Sequence, residues 1–277
     1  GAPVTLTVTP SIGVTQFPTD GDDVEELVRK ADVAMYAAKG RGGNQVRFYS
    51  DRLQERSRMR AAARLELSAA IQDGQIVPFL QPVLDAPTRR VVGVEVLARW
   101  LHPQRGLLGP GDFLPDVEEF ELLDPLTLKL VESVQERRSE IDAVLGHLGV
   151  AFNLAPLQLL HQELLAALVQ AVGVGGCTIE VTEAAAFGGD ESTIESLRRL
   201  RAGGARTSLD DFGTGYSSVL HLKAFGFDEV KIDREFVSGS AEGPDVHLVT
   251  AMVAMAHALG AVAVAEGVET AEQADVL

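Results

Sequence analysis

Six short apolar runs in this chain end in, or enclose, acidic or amide residues. They are Val91-Val92-Gly93-Val94-Glu95, Val150-Ala151-Phe152-Asn153, Thr178-Ile179-Glu180-Val181-Thr182-Glu183, Thr207-Ser208-Leu209-Asp210-Asp211, Glu229-Val230-Lys231-Ile232-Asp233 and Val262-Ala263-Val264-Ala265-Glu266. A carboxylate inside an apolar strand is costly to bury unless it is paired or binds a cation. One such run is a strand end meeting solvent. Six, separated by helix-length stretches, point to strands whose carboxyl ends converge on a metal, as at the top of a (β/α) barrel. Glu95, Asn153, Glu180, Asp210 and Asp211 offer only oxygen donors, a set that suits Mg2+ or Mn2+ rather than zinc or copper. Five donors, four of them anionic, suffice for two ions, and two ions about 4 Å apart activate a water for in-line displacement at phosphorus. Lys231 beside them would orient that water or neutralise a phosphate. Glu266 and Glu269, on either side of Gly267-Val268, are left as a general base or further ligand and an orienting group.

Taken singly, these residues have plainer readings. Glu95 or Asn153 alone is a strand-end hydrogen-bonding residue, Asp210-Asp211 a helix cap before Gly213, and Lys231 with Asp233 a structural pair. Gly213-Thr214-Gly215-Tyr216-Ser217-Ser218 is by itself a weak phosphate-loop signal. Recurrence strand after strand makes chance a poor account of the whole. Strand alternation puts Glu180 with Thr182 and Lys231 with Asp233 on common faces, and leaves Glu183 out of phase. The six histidines show no ligand spacing, and the single cysteine, Cys177, opens an apolar run and reads as buried filler.

The elements that must position these residues follow from the pattern. From 76 onward strands at 76–84, 90–100, 149–154, 177–182, 205–211, 229–233 and 261–266 alternate with helical stretches, including a short one at 216–222, which argues for a parallel α/β barrel. At 277 residues the chain can hold a barrel of about 220–250 residues or two ordinary domains. The strand count reaches seven where a closed barrel has eight, so the last strand is expected to be absent from this chain. Residues 1–50 read as a piece of another domain: strand, amphipathic helix over 22–39, turn, and a short strand at Val46–Tyr49. Residues 51–75 read as a charged helical linker, and 76–277 as the barrel. The net charge of −16 argues against a binder of nucleic-acid polymers or anionic membranes. No stretch reaches the roughly 18 apolar residues of a membrane span, and a lone cysteine fits a reducing compartment, so a cytoplasmic location is expected for this segment.

The ordered motifs carry a resemblance. From about 76 to 277 the chain resembles the EAL-domain phosphodiesterases, which hydrolyse the bacterial messenger cyclic di-GMP to linear pGpG. The matching residues are Gln81-Pro82, Glu95-Val96-Leu97-Ala98-Arg99-Trp100, Asn153-Leu154, Glu180-Val181-Thr182-Glu183, Asp210-Asp211-Phe212-Gly213-Thr214-Gly215-Tyr216-Ser217-Ser218, Lys231-Ile232-Asp233 and Glu266-Gly267-Val268-Glu269-Thr270. The resemblance implies a TIM-like (β/α) barrel and metal ligation by Glu95, Asn153, Glu180, Asp210 and Asp211. It further implies that Lys231 and Glu266 assist the water, that Gln81 and Arg99 contact substrate, and that Glu183 anchors the loop at 212–218, with Glu269 in a similar supporting place. Two Mg2+ or Mn2+ ions are the expected cofactors; cyclic di-GMP and a second copy of the chain are the expected partners. The signature reads Glu-Val-Leu rather than Glu-Ala-Leu, and the family's Gln-Gly-Tyr-like last strand has no counterpart here. Residues 1–49 resemble the C-terminal end of a GGDEF domain through Ser11-Ile12-Gly13-Val14 and Ala31-Asp32-Val33-Ala34-Met35-Tyr36-Ala37-Ala38-Lys39, whereas Gly188-Gly189-Asp190-Glu191 is a decoy at a helix start. The reading is therefore a bacterial GGDEF–EAL tandem segment with a metal-dependent hydrolase barrel. The rival is a degenerate EAL domain that binds cyclic di-GMP as a receptor, and a more distant one is an unrelated Mg2+ barrel lyase.

Overall fold

The computed structural model describes residues 8–40, 42–172, 176–187, 191–213, 222–223, 225–238 and 244–277. Two compact units divide the chain, Gly1–Ala69 and Ala70–Leu277. In the first, β1 (Ile12–Val14) and β2 (Val46–Phe48) pair in parallel around helix α1 (Val24–Lys39). Asp23 caps α1 by accepting from the Glu26 N–H at 2.8 Å, which satisfies one of the orphan donors of its first turn. Gly13 lies against the α1 backbone at Ala31 and Met35, too close for any Cβ, and Ala34 and Ala38 are fully buried. Small residues on both sides let helix and strand meet closely. Helix α2 (Asp51–Gln72) follows.

The second unit is one curled sheet with helices on it. Its elements are β3 (Ile76–Leu84), β4 (Val91–His102), β5 (Gly106–Leu108), α3 (Leu114–Glu119), α4 (Leu123–Glu136), α5 (Arg138–Leu145), β6 (Gly149–Asn153), α6 (Gln162–Val172), β7 (Cys177–Thr182), α7 (Glu183–Phe187), α8 (Glu191–Ala202), β8 (Arg206–Phe212), β9 (Glu229–Ile232), α9 (Arg234–Ser238), α10 (Pro244–Ala258), β10 (Val262–Ala265) and α11 (Ala271–Val276). The strands lie in the order β10-β9-β8-β7-β6-β4-β3, with β5 beside β4. All seven sequence-predicted strands of the barrel are present, β4, β6, β7, β8, β9 and β10 pair in parallel in that order, and the sheet is of the TIM-like kind. Among the described residues β3 and β10 pair with no other strand on their outer sides.

Two features depart from the all-parallel expectation. β3 runs antiparallel to β4, because the link from Asp85 to Arg90 is a tight turn in which Asp85 accepts from the Thr88 N–H at 2.9 Å. A parallel crossover needs about a dozen residues or more. β4 then overruns the sheet and folds back on β5, with Trp100 opposite Leu108. The helix expected at 216–222 lies almost wholly outside the described residues, as do Gly188-Gly189-Asp190 and the loop from Thr214 to His221.

The core explains the apolar runs. On β4, Val94, Val96, Ala98 and Trp100 are buried while Glu95, Leu97 and Arg99 face the other way. Val150, Phe152, Ile179, Val181, Leu209, Val230 and Ile232 continue the buried side across the parallel strands. Each such side chain contributes about 1.5–3 kcal/mol on burial, which fixes strand register and so the face on which the acidic residues emerge.

Candidate active site

Lys231 is the centre of the acidic set. Its Nζ lies 2.6 Å from Glu266 Oε1, 2.8 Å from Glu180 Oε2, 3.2 Å from Glu95 Oε2 and 3.4 Å from Asp210 Oδ1. Four strands besides β9 thus aim a carboxylate at one ammonium whose side chain is only 4% exposed. Burial works against that charge, but the Glu180, Asp210, Glu95 and Glu266 carboxylates override it and hold Lys231 above the ordinary lysine range. Burial pushes the Glu180 carboxyl up to about 8, against the pull of Lys231 and with the help of Glu95. Glu266 is pushed up for the same first reason, again opposed by Lys231.

Asp210 and Asp211 are adjacent, so a regular strand would send them to opposite faces. The register of β8 against β9 shifts between Leu209 and Phe212, and Asp211 takes φ +56°. This bulge places ligand-capable oxygens of Asp210, Asp211 and Glu266 within 4.8 Å of one another. Burial raises the Asp211 carboxyl, with further upward pressure from Asp210 and Asp233. Gly213 and Gly267 end the two acidic segments at φ +102° and +67°. A Cβ on Gly267 would sit 2.5 Å from Arg234 Cβ, and one on Gly213 would sit 2.8 Å from Phe236 and Met252 atoms. Only glycine lets the chain turn there and keep the acids in place.

Asn153 joins the group from the end of β6, donating from Nδ2 to Glu95 Oε1 at 2.7 Å; this orients its Oδ1 as an acceptor. Gln81 stands directly opposite Glu95 in the β3–β4 pair, exposed and on the same face. Arg99, two pleats further along β4, lies 5.6 Å from the Phe79 ring centre and donates to the Ala98 carbonyl at 2.8 Å. Glu183 opens α7, and its Oε2 accepts from the Gly213 N–H at 3.3 Å. Its out-of-phase position thus carries it to the start of the loop at 212–218. Glu269 is exposed, and its described contact is a backbone N–H donated to Gln273 Oε1 at 2.7 Å within the cap of α11. Of the site residues named from sequence, Glu95, Glu180, Asp210 and Glu266 contact Lys231. Asn153 joins through Glu95, and Asp211 through Asp210 and Glu266, whereas Gln81 faces Glu95, Glu183 holds Gly213, Arg99 is set apart along β4 and Glu269 lies in the helix cap. The reading from sequence missed Asp233 as a neighbour of Asp211, although its i,i+2 spacing from Lys231 was the available signal.

An all-oxygen acidic cluster around one lysine, at the carboxyl ends of a curled β/α sheet, defines a TIM-like protein suited to divalent cations. The chain belongs to the EAL domain family, whose model matches residues 64–277; a model described as the diguanylate cyclase GGDEF domain matches residues 2–45. The bifunctional diguanylate cyclase/cyclic di-GMP phosphodiesterase MucR of Pseudomonas aeruginosa is 36% identical over 277 residues, an alignment covering 98% of this chain and 40% of MucR. The cyclic di-GMP phosphodiesterase NbdA of the same organism is 38% identical over 97% of this chain and 35% of its own length. A solved MucR phosphodiesterase in complex with c-di-GMP superposes with a TM-score of 0.71 at 37% identity, covering 78% of this chain and 90% of that one. The chain thus spans well under half the length of these curated relatives. No helix among the described residues is long and apolar enough to cross a membrane.

Proposed function

We propose that residues 76–277 form a metal-dependent phosphodiesterase that hydrolyses cyclic di-GMP to linear pGpG, preceded by a GGDEF-like piece at 1–50 and a helical linker at 51–75. The carrying observation is the placement of Glu95, Glu180, Asp210 and Glu266 around Lys231, with Asp211 turned into the same group by the β8 bulge. Five carboxylates against one ammonium leave an excess of four negative charges, which two divalent cations neutralise. An all-oxygen donor set fits hard ions such as Mg2+ or Mn2+. In this reading Glu95, Asn153, Glu180, Asp210 and Asp211 hold the ions.

Bound cations supply the positive charge that acidifies water and stabilises the phosphorane-like transition state. The chain's own residues do the rest. Lys231 orients the attacking water through its ammonium and offsets charge on the phosphate. Glu266, whose carboxyl burial already raises, accepts the proton that the water loses as its oxygen bonds to phosphorus. The P–O3′ bond breaks, the O3′ takes up a proton, and the opened product carries a 5′-phosphate. Gln81 and Arg99, on the same face as Glu95, bind the substrate beside and beyond the ions, and Glu183 fixes the loop that starts at Gly213. Glu269 supports the turn into α11. Two copies associating in solution belong to the same proposal and would be read from molar mass by light scattering.

The receptor reading is disfavoured by Lys231 and Glu266, which a binding-only site does not require. The test is incubation of the purified chain with cyclic di-GMP and Mg2+ or Mn2+, followed by chromatography. Accumulating pGpG supports the enzyme; bound but uncleaved cyclic di-GMP supports the receptor.

A further inference from the structure

Ser208 is buried completely, and its Oγ has no hydrogen-bond partner among the described residues. It lies on β8 two residues before Asp210, on the same face by strand alternation and about 7 Å nearer the amino end of the strand. In register it stands directly between Glu180 of β7 and Glu229 of β9. The hydroxyl is thus in the interior, one layer beneath Asp210 and level in register with Glu180, with a carboxylate on each neighbouring strand and no direct hydrogen bond to either. Glu229 Oε1 is tied to Arg206 at 3.0 Å. Glu180 is 3% exposed, and its described donor is Lys231, an ammonium that it shares with three other carboxylates.

A hydroxyl donates once and accepts twice, whereas an ionised carboxylate only accepts. Buried polar groups left over in this way are met by an ordered water with two to four polar partners. Alanine would fill the same place in the core without any such requirement. We propose that Ser208 is a positioning residue, whose hydroxyl, through one buried water, holds the Glu180 carboxylate beneath the cation site. The water accepts from the Ser208 hydroxyl and donates one proton to Glu180 and the other to Glu229 of β9. Groups that orient a ligating carboxylate in this way change metal affinity by about 10–100-fold when removed.

This inference rests on the reading of Glu180 as a metal ligand, and the test separates the two. Mn2+ binding to the metal-stripped full chain is measured by calorimetry for wild type, Ser208→Ala, Ser208→Cys and Glu180→Gln, with thermal unfolding of each in EDTA. Both Ser208 variants should bind Mn2+ about tenfold or more weakly while unfolding in EDTA at or above the wild-type temperature. Cysteine keeps the volume but not the strong donor, so equal loss in both variants assigns the effect to the hydroxyl. Unchanged Mn2+ affinity in either folded variant overturns the proposal, since removing a merely orphaned hydroxyl leaves the metal untouched. Weakened affinity with an equal loss of EDTA stability in both also overturns it and makes Ser208 core filler. Glu180→Gln should lose Mn2+ binding; if it binds normally, the ligand reading itself is wrong, whatever Ser208 does.

Discussion

Replacing Lys231 with methionine removes one charge and keeps the length and most of the volume of the side chain. Each of its four carboxylate contacts, at 2.6–3.4 Å, is a gross attraction of about 5 kcal/mol at an effective dielectric near 20. Desolvation and mutual repulsion of the acids cancel most of that sum. Breaking a buried charge network from one side costs about 3–5 kcal/mol net, or roughly 6–20 °C in unfolding temperature for a unit of this size. The loss depends on pH with a definite sign. Glu180, raised from 4.5 to about 8 in the folded chain, binds more protons folded than unfolded between those values. Its contribution is fully present below the unfolded value and is lost as pH rises through the folded one. Without Lys231 the carboxyl titrates higher still, so Lys231→Met in EDTA should lie closer to wild type at pH 5 than at pH 9, where the wild-type carboxyl has ionised and the variant's has not. Saturating Mn2+ should recover much of the difference, because the ions replace the missing charge. Differential scanning calorimetry at both pH values, with EDTA and with Mn2+, reads all of this. Equal unfolding temperatures at pH 9 in EDTA would refute the assignment of Lys231 as the counter-charge of the site.

Further outcomes follow from the same geometry. Asp210→Asn and Glu95→Gln should each lower cyclic di-GMP turnover by more than about a hundredfold, beyond the usual loss for an outer-shell group, with circular dichroism unchanged. Added Ca2+ should inhibit Mg2+-supported turnover, since its longer and looser coordination misplaces the water; a rate in Ca2+ equal to that in Mg2+ would count against the two-ion geometry. Gly267→Ala forces a Cβ into Arg234 at a left-handed position and should cost about 2–4 kcal/mol in urea unfolding, with reduced turnover through displacement of Glu266.

The acid-bearing strands were legible because a carboxylate at the end of an apolar run is a conspicuous cost that needs a cause. Glu95, Glu180, Asp210 and Glu266 announced themselves in that way, and six of the seven strands came with the acid-bearing runs. Other features depend on local backbone choices that a periodic pattern does not encode. Asp211 belongs with Asp210 only through a bulge and a positive φ, and alternation alone would have turned it away. The antiparallel β3 was readable in principle from the short Asp85–Arg90 link, whereas the Gly106–Leu108 strand is too short to show a period. The central place of Lys231 could not be read from spacing, because it is set by four separate strands converging in space.

Counting Mn2+ ions bound per chain while following pGpG formation separates a two-ion hydrolase from a metal-independent enzyme and from a receptor. Metal-stripped protein is titrated with Mn2+, bound ion is read by electron paramagnetic resonance, and cyclic di-GMP turnover is measured at each point. Two bound ions per chain are expected, with turnover that rises with occupancy and none in EDTA. Full turnover without bound cation, or none when two ions are bound, would contradict the two-ion hydrolase.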